Sequence, residues 1–238
     1  MLASLAKTNH IPFFGRAKRA FFLKNLIQNM YNQPSQLFLT PVVKILLIIN
    51  VAFFVATEFI FPNLAPYLCV YYPTSEDFRP FQILTHMFMH HGMGHIFFNM
   101  FCLATFGPVI EMVWREQKFL FYYLFCGFGA LALQFAANYW EINNGTLPIE
   151  QAEMIRLAGA SGCLYGVMVA FAMLYPNQKI GMMFIPVYFP AKFAVPVLVA
   201  VDLFLGVSNF QTGVAHFAHL GGAIAGFLLI LYWWKGAR

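Results

Sequence analysis

Charge is what this sequence has least of. Only 10% of its 238 residues are Asp, Glu, Lys or Arg, and 61% are hydrophobic, whereas a soluble domain carries about a quarter charged residues. A chain this poor in charge cannot clothe a core in water, so a single soluble domain is excluded. Cysteine is scarce as well, and the four present make no disulfide framework. Cys102, Cys126 and Cys163 fall in apolar runs and read as small buried hydrophobes, while Cys69 reads as lying in an aqueous loop. Acid is rarer than base, with nine Asp and Glu against 14 Lys and Arg. The resulting net charge of +5 reads as loop orientation rather than a polyanion site, so nucleic acid is not an expected partner.

What is abundant is apolar length. Roughly 145 apolar residues, at about 20 per bilayer span, supply about six spans and little else. They run from Pro41 to Phe61, His95 to Trp114, Phe119 to Tyr139, Ser161 to Tyr175, Pro190 to Val207 and Gly213 to Trp234. Residues 1–40 hold Lys7, Arg16, Lys18, Arg19 and Lys24 but no acid. Phe21, Phe22, Leu26 and Met30 recur there at helical spacing, which predicts an interfacial helix. No apolar run suited to a cleaved secretory signal follows the basic cluster, although an acid-free basic start also resembles an organellar presequence. Lys and Arg concentrate in this segment, around Arg115 and Lys118, at Lys179 and Lys192, and in the tail 235–238. That asymmetry predicts cytoplasmic termini and outward-facing loops at 62–94, 140–160 and 208–212.

Polar residues inside a span are functional candidates because each costs free energy unless paired. His86, His90, His91, His95 and Asn99 form the first cluster. Gly92 and Gly94 predict a break within it. The H-x-x-x-H-H run at 86–91 resembles a histidine box of membrane di-iron oxygenases, which keeps a metal-dependent oxidase as a rival reading. Against it, the only other histidine pair is His216 and His219, and the acids nearest the spans, Glu58, Glu111 and Asp202, are scattered.

The second cluster joins spans four and six. From Ser161 to Tyr175 a helix is about 22 Å long, against a hydrocarbon core of about 30 Å. Its N-terminus is therefore recessed, wet and electropositive, a setting that suits an oxyanion. His219 arrives at a similar depth on the sixth span. Gly162, Gly166 and Ala170 form one small-residue stripe, Gly222 and Gly226 another, and such stripes let two membrane helices approach closely. A serine can then meet an imidazole, with Tyr165 one turn below to pack on it. Asp202 lies near the same depth and leaves a triad open, but its expected role is structural, bonding a helix end or water. His216 is expected to matter for packing.

These residues resemble the rhomboid intramembrane serine proteases. His90, His95 and Asn99 in HHGMGHIFFN are similar to the family's H-x4-H-x3-N signature, Gly159-Ala160-Ser161-Gly162 to its G-x-S-G motif, and AHLGGAIAG ending at Gly226 to its A-H-x-x-G-x-x-x-G motif. The outer-loop Trp-Arg signature is Phe78-Arg79 here. The resemblance implies an all-α membrane protein, a six-transmembrane-helix bundle spanning 41–234 with a short central fourth helix and a structured first outer loop. It implies Ser161 as nucleophile and His219 as general base and acid. His95 and Asn99 would stabilise the oxyanion, Tyr165 would orient His219, and Gly159, Gly162, His90, Gly222 and Gly226 would support the site. No cofactor and no metal are implied. The expected partners are membrane-anchored protein substrates and the lipid bilayer, the expected location a bacterial inner membrane. A proteolytically inactive relative that binds helices is the other alternative. Span five, with Pro190 and Pro196, and the 208–212 loop are the expected gate.

Overall fold

The computed structural model describes residues 39–182, 185–208 and 215–236. The interfacial helix expected within 1–38, most of the expected gate loop and the last tail residues lie outside them. In chain order the helices are α1 (Pro41–Val55, continued by a wider π-type turn Ala56–Ile60), α2 (Ala65–Leu68), α3 (Gln82–Thr85), α4 (Gly92–Trp114) and α5 (Glu116–Asn143). They continue with α6 (Ile149–Met154), α7 (Ser161–Leu174), α8 (Ala191–Val207) and α9 (His216–Gly236). The α1 unit with its π-type turn, α4, α5 and α9 are long and apolar enough to cross a membrane.

The packing inverts that of a soluble protein. Phe97, Phe98 and Phe101 on α4, Phe121 and Phe125 on α5, and Leu228 on α9 point outward, whereas Asn50, Asn99, Glu111, Asn138 and Asp202 are buried. Outward phenyl and leucyl groups on this scale belong against lipid, and inward polar groups must find partners within the protein. The shorter α7 is enclosed by α4, α5 and α9. Its 14 residues span about 21 Å.

Glu111 illustrates how a buried acid is accommodated. Its carboxylate accepts hydrogen bonds from the Thr40 hydroxyl at 2.5 Å and from the backbone N–H groups of Val42 and Val43, each at 2.9 Å. These are donors at the α1 N-terminus that the helix itself cannot satisfy, and a negative charge is favoured at that pole. Pro41 at the first turn lacks an N–H to compete. We expect Glu111→Ala to lower stability by about 3 kcal/mol, since it strands several buried donors. A thermal melt in detergent reads this, and an unchanged midpoint would deny the cap its role.

Two connections differ from the sequence reading. The turn between α4 and α5 is a single residue, Arg115, at φ 67°, and its N–H bonds the Glu111 carbonyl at 2.7 Å. The segment after α7, read from the sequence only as a connection carrying Lys179 and Lys192, forms an antiparallel hairpin of β1 (Lys179–Met182) and β2 (Ile185–Pro190), with Ile180 opposite Phe189. Its neck is closed by hydrogen bonds from the Ala191 and Lys192 N–H groups to the carbonyls of Gln178 and Pro176, which sets the start of α8 beside the end of α7. Cys69 also departs from expectation. It is fully buried, and desolvation pushes its thiol up to about 11.

Candidate active site

The N-terminus of α7 is held by the loop that precedes α4. Val70 and Leu157 exchange two backbone hydrogen bonds of 3.0 and 2.9 Å, and the Gly159 N–H donates to the His86 carbonyl at 2.9 Å. Gly159 adopts φ 133°, a conformation open to glycine alone. A side chain there would also press on the His95 ring, since a Cβ would lie 2.9 Å from its Nε2. This turn delivers Ser161 as the first residue of α7.

Ser161 Oγ lies 2.8 Å from His219 Nε2. The approach depends on the two small-residue stripes, which face one another: a Cβ on Gly222 would fall on the carbonyl of Gly162, and one on Gly226 would lie 3.0 Å from the Gly166 Cα. Backbone therefore touches backbone, and a serine with its one-carbon reach spans the remainder. Tyr165 stacks on the His219 ring with centroids 4.4 Å apart and planes within 10°. The serine, imidazole and phenol thus form one packed column.

His95 and Asn99 face the same cavity, of about 870 Å³, which is also lined by Ser161, His219 and Gln134. The His91 backbone N–H donates to His95 Nδ1 at 3.3 Å. A neutral ring that accepts at Nδ1 carries its proton on Nε2, and this is the atom that faces Gly159. Asn99 is buried, and its Nδ2 donor has no hydrogen-bond partner among the described residues. An unpaired buried amide costs free energy, and here its position suits an acceptor that enters the cavity.

His86 and His90 lie before α4 rather than on it. His91 is extended and Gly92 opens the helix at φ 78°, so the break at the glycines separates them from His95 and Asn99. His86 Nδ1 bonds the Gln82 carbonyl at 2.9 Å, and His90 Nδ1 the Phe88 carbonyl at 3.3 Å. Burial pushes His86 down to about 4 and His90 to about 3, so both rings are neutral near pH 7. His90 meets the His95 ring edge to face at 4.9 Å and supports it from behind.

Asp202 does not have the surroundings expected for it. It meets two imidazoles, with Oδ1 2.6 Å from His216 Nδ1 and 3.3 Å from His219 Nδ1. Its other oxygen, Oδ2, accepts the Tyr165 hydroxyl. His216 is accordingly a partner of this carboxylate as well as a packing residue. No spacing rule reveals the arrangement, because it depends on how α8 is rotated against α9. Asp202, His216 and His219 are also the only described group of three or more His, Cys, Asp or Glu residues close enough to share a metal ion, and none of the 86–91 histidines belongs to it.

Comparison with known proteins adds a sequence-wide signal. The model of the Rhomboid domain family matches residues 77–236. The chain is 29% identical over 149 residues to rhomboid protease AarA of Providencia stuartii, covering 60% of this chain and 52% of that protein. It is 31% identical over 178 residues to presenilin-associated rhomboid-like protein A, mitochondrial, of Danio rerio, covering 72% and 43% respectively. It is 27% identical over 150 residues to the putative rhomboid protease YdcA of Bacillus subtilis, covering 62% and 64%. The chain thus spans about half the length of the first two of these relatives. With the family model covering most of the chain, from the first loop to the end of α9, this protein belongs to the rhomboid family.

Proposed function

We propose that the protein is an intramembrane serine endopeptidase that cleaves membrane-anchored protein substrates in or beside the bilayer. The observation that carries this reading is the 2.8 Å contact between Ser161 Oγ and His219 Nε2, two residues that line one cavity with His95 and Asn99. Neutral His219 accepts the Ser161 proton as Oγ attacks the scissile carbonyl, then returns it to the leaving amine. The oxyanion receives hydrogen bonds from His95 Nε2, Asn99 Nδ2 and the backbone N–H groups at the start of α7. The α1 unit, α4, α5, α7, α8 and α9 are read as six spans, with both termini cytoplasmic. AarA is named a protease and the Danio rerio relative rhomboid-like; the unaltered serine and histidine favour the former. Relatives named for bacteria and for mitochondria widen the expected location from a bacterial inner membrane to that class of membranes.

The oxidase reading is less favoured because His86 and His90 bond backbone carbonyls, and among the described residues none of the 86–91 histidines belongs to a group close enough to share a metal ion. The test is covalent labelling. A fluorophosphonate should modify the detergent-solubilised protein and not its Ser161→Ala form, and only the unmodified wild type should cut a model transmembrane substrate. Labelling that persists in Ser161→Ala, or turnover abolished by a chelator, would overturn the proposal.

A further inference from the structure

We propose that Asp202 and His216 are positioning residues for His219, forming with Tyr165 a buried unit that fixes which nitrogen of the His219 ring carries the proton. The inference rests on the serine-protease reading and extends it from two residues to a network. A carboxylate only accepts hydrogen bonds, so each imidazole nitrogen facing Asp202 must donate. His216 Nδ1 donates to Oδ1 at 2.6 Å, and the Tyr165 hydroxyl donates to Oδ2. With donors on both oxygens the carboxylate is held in one orientation. His219 Nδ1 lies 3.3 Å from the same Oδ1, which places its proton on Nδ1 and leaves Nε2 as the acceptor that faces Ser161 at 2.8 Å.

Three elements contribute: Tyr165 from α7, Asp202 from α8, and His216 and His219 one turn apart on α9. The two histidine rings stand edge to face, 6.4 Å between centroids, so His216 does not compete for Ser161. It holds the carboxylate that in turn holds His219. In the reaction the Ser161 proton moves to His219 Nε2, and the imidazolium so formed sits against a fixed negative charge. Asp202 remains ionised throughout, and the proton leaves with the amine product. The 3.3 Å contact is long for a hydrogen bond to a carboxylate and should shorten once the ring is charged, as catalytic hydrogen bonds commonly do on passing to the transition state.

The test uses the full-length protein in detergent, with three readouts. Asp202→Asn should lower kcat about 10³- to 10⁴-fold, the scale on which a misplaced tautomer acts in serine proteases, with KM little changed and the melting midpoint retained. His216→Ala should lower kcat less, and His216→Gln, which keeps a side-chain donor, should recover part of that loss. In protein labelled with ¹⁵N-histidine, His219 should be an Nδ1–H tautomer, and Asp202→Asn should shift it toward Nε2–H. The nitrogen spectrum needs no turnover, so the inference can fail independently of the protease reading. If the wild type cleaves substrate while Asp202→Asn and both His216 variants stay within twofold of it, the positioning role falls and the serine–histidine pair stands. If the wild type holds stoichiometric metal that Asp202→Asn loses, the three side chains are metal ligands and the inference is overturned.

Discussion

His219→Ala should reduce turnover by about 10⁴-fold or more while the protein still folds. Removing the general base of a serine hydrolase costs up to about 10⁶ in kcat, because nucleophile and base act as a unit. His219 is the only imidazole in contact with Ser161 Oγ among the described hydrogen bonds. His216 cannot take over: it sits one turn earlier, and its Nδ1 is held by Asp202 at 2.6 Å. Truncation leaves Tyr165 without its stacking partner and opens a small polar space that water can fill, so the melting midpoint should fall only modestly. Cleavage of a model transmembrane substrate, followed by mass spectrometry, gives the rate, and the fluorophosphonate reaction should slow in parallel. A larger loss for His216→Ala than for His219→Ala would mean that the working imidazole lies one turn away on α9.

Gly222→Val is expected to damage both fold and activity, by about 3 kcal/mol or more in stability and at least about 10²-fold in rate. An added Cβ would land on the carbonyl of Gly162. Backbone cannot yield by changing rotamer, so α7 and α9 must part. Overpacking against side chains already costs about 1–3 kcal/mol. A 1 Å displacement of reacting groups can cost about 10²-fold, and here the displaced helices carry Ser161 and His219. Gly94→Ala is the matched control for the melt, since a Cβ there has nothing within 4 Å and alanine suits a helix better. Equal midpoints for the two variants would refute the backbone contact.

What the sequence discloses about the site is what repeats locally or sits at a chain signal. The glycine stripes on α7 and α9 have helical spacing, and their contact follows from the size of the residues. The start of α7 is marked by Gly159 and Ser161, and the observed helix stops one residue short of the expected end. The partners of isolated acids are not legible in this way. Glu111 serves a helix end about 70 residues away in sequence, and Asp202 reaches two histidines across a helix interface. Each is a single polar residue in an apolar run, with no periodicity to say which way it turns. The hairpin at β1 and β2 was obscured because its strands are short and carry Gly181, Pro186 and Pro190, residues that ordinarily weaken strand propensity.

The shortness of α7 has a consequence for how the protein responds to bilayers of different thickness. A lipid-facing helix about 21 Å long would force the surrounding hydrocarbon, about 30 Å thick, to thin around it. Because α7 is enclosed by α4, α5 and α9, acyl chains do not set its depth. The mismatch falls on the outer helices, which can tilt, whereas the spacing of Ser161 from His219 is fixed by glycine contacts inside the bundle. Thicker or thinner membranes should therefore alter the height at which a membrane segment meets the cavity, and leave the geometry of Ser161 and His219 unchanged.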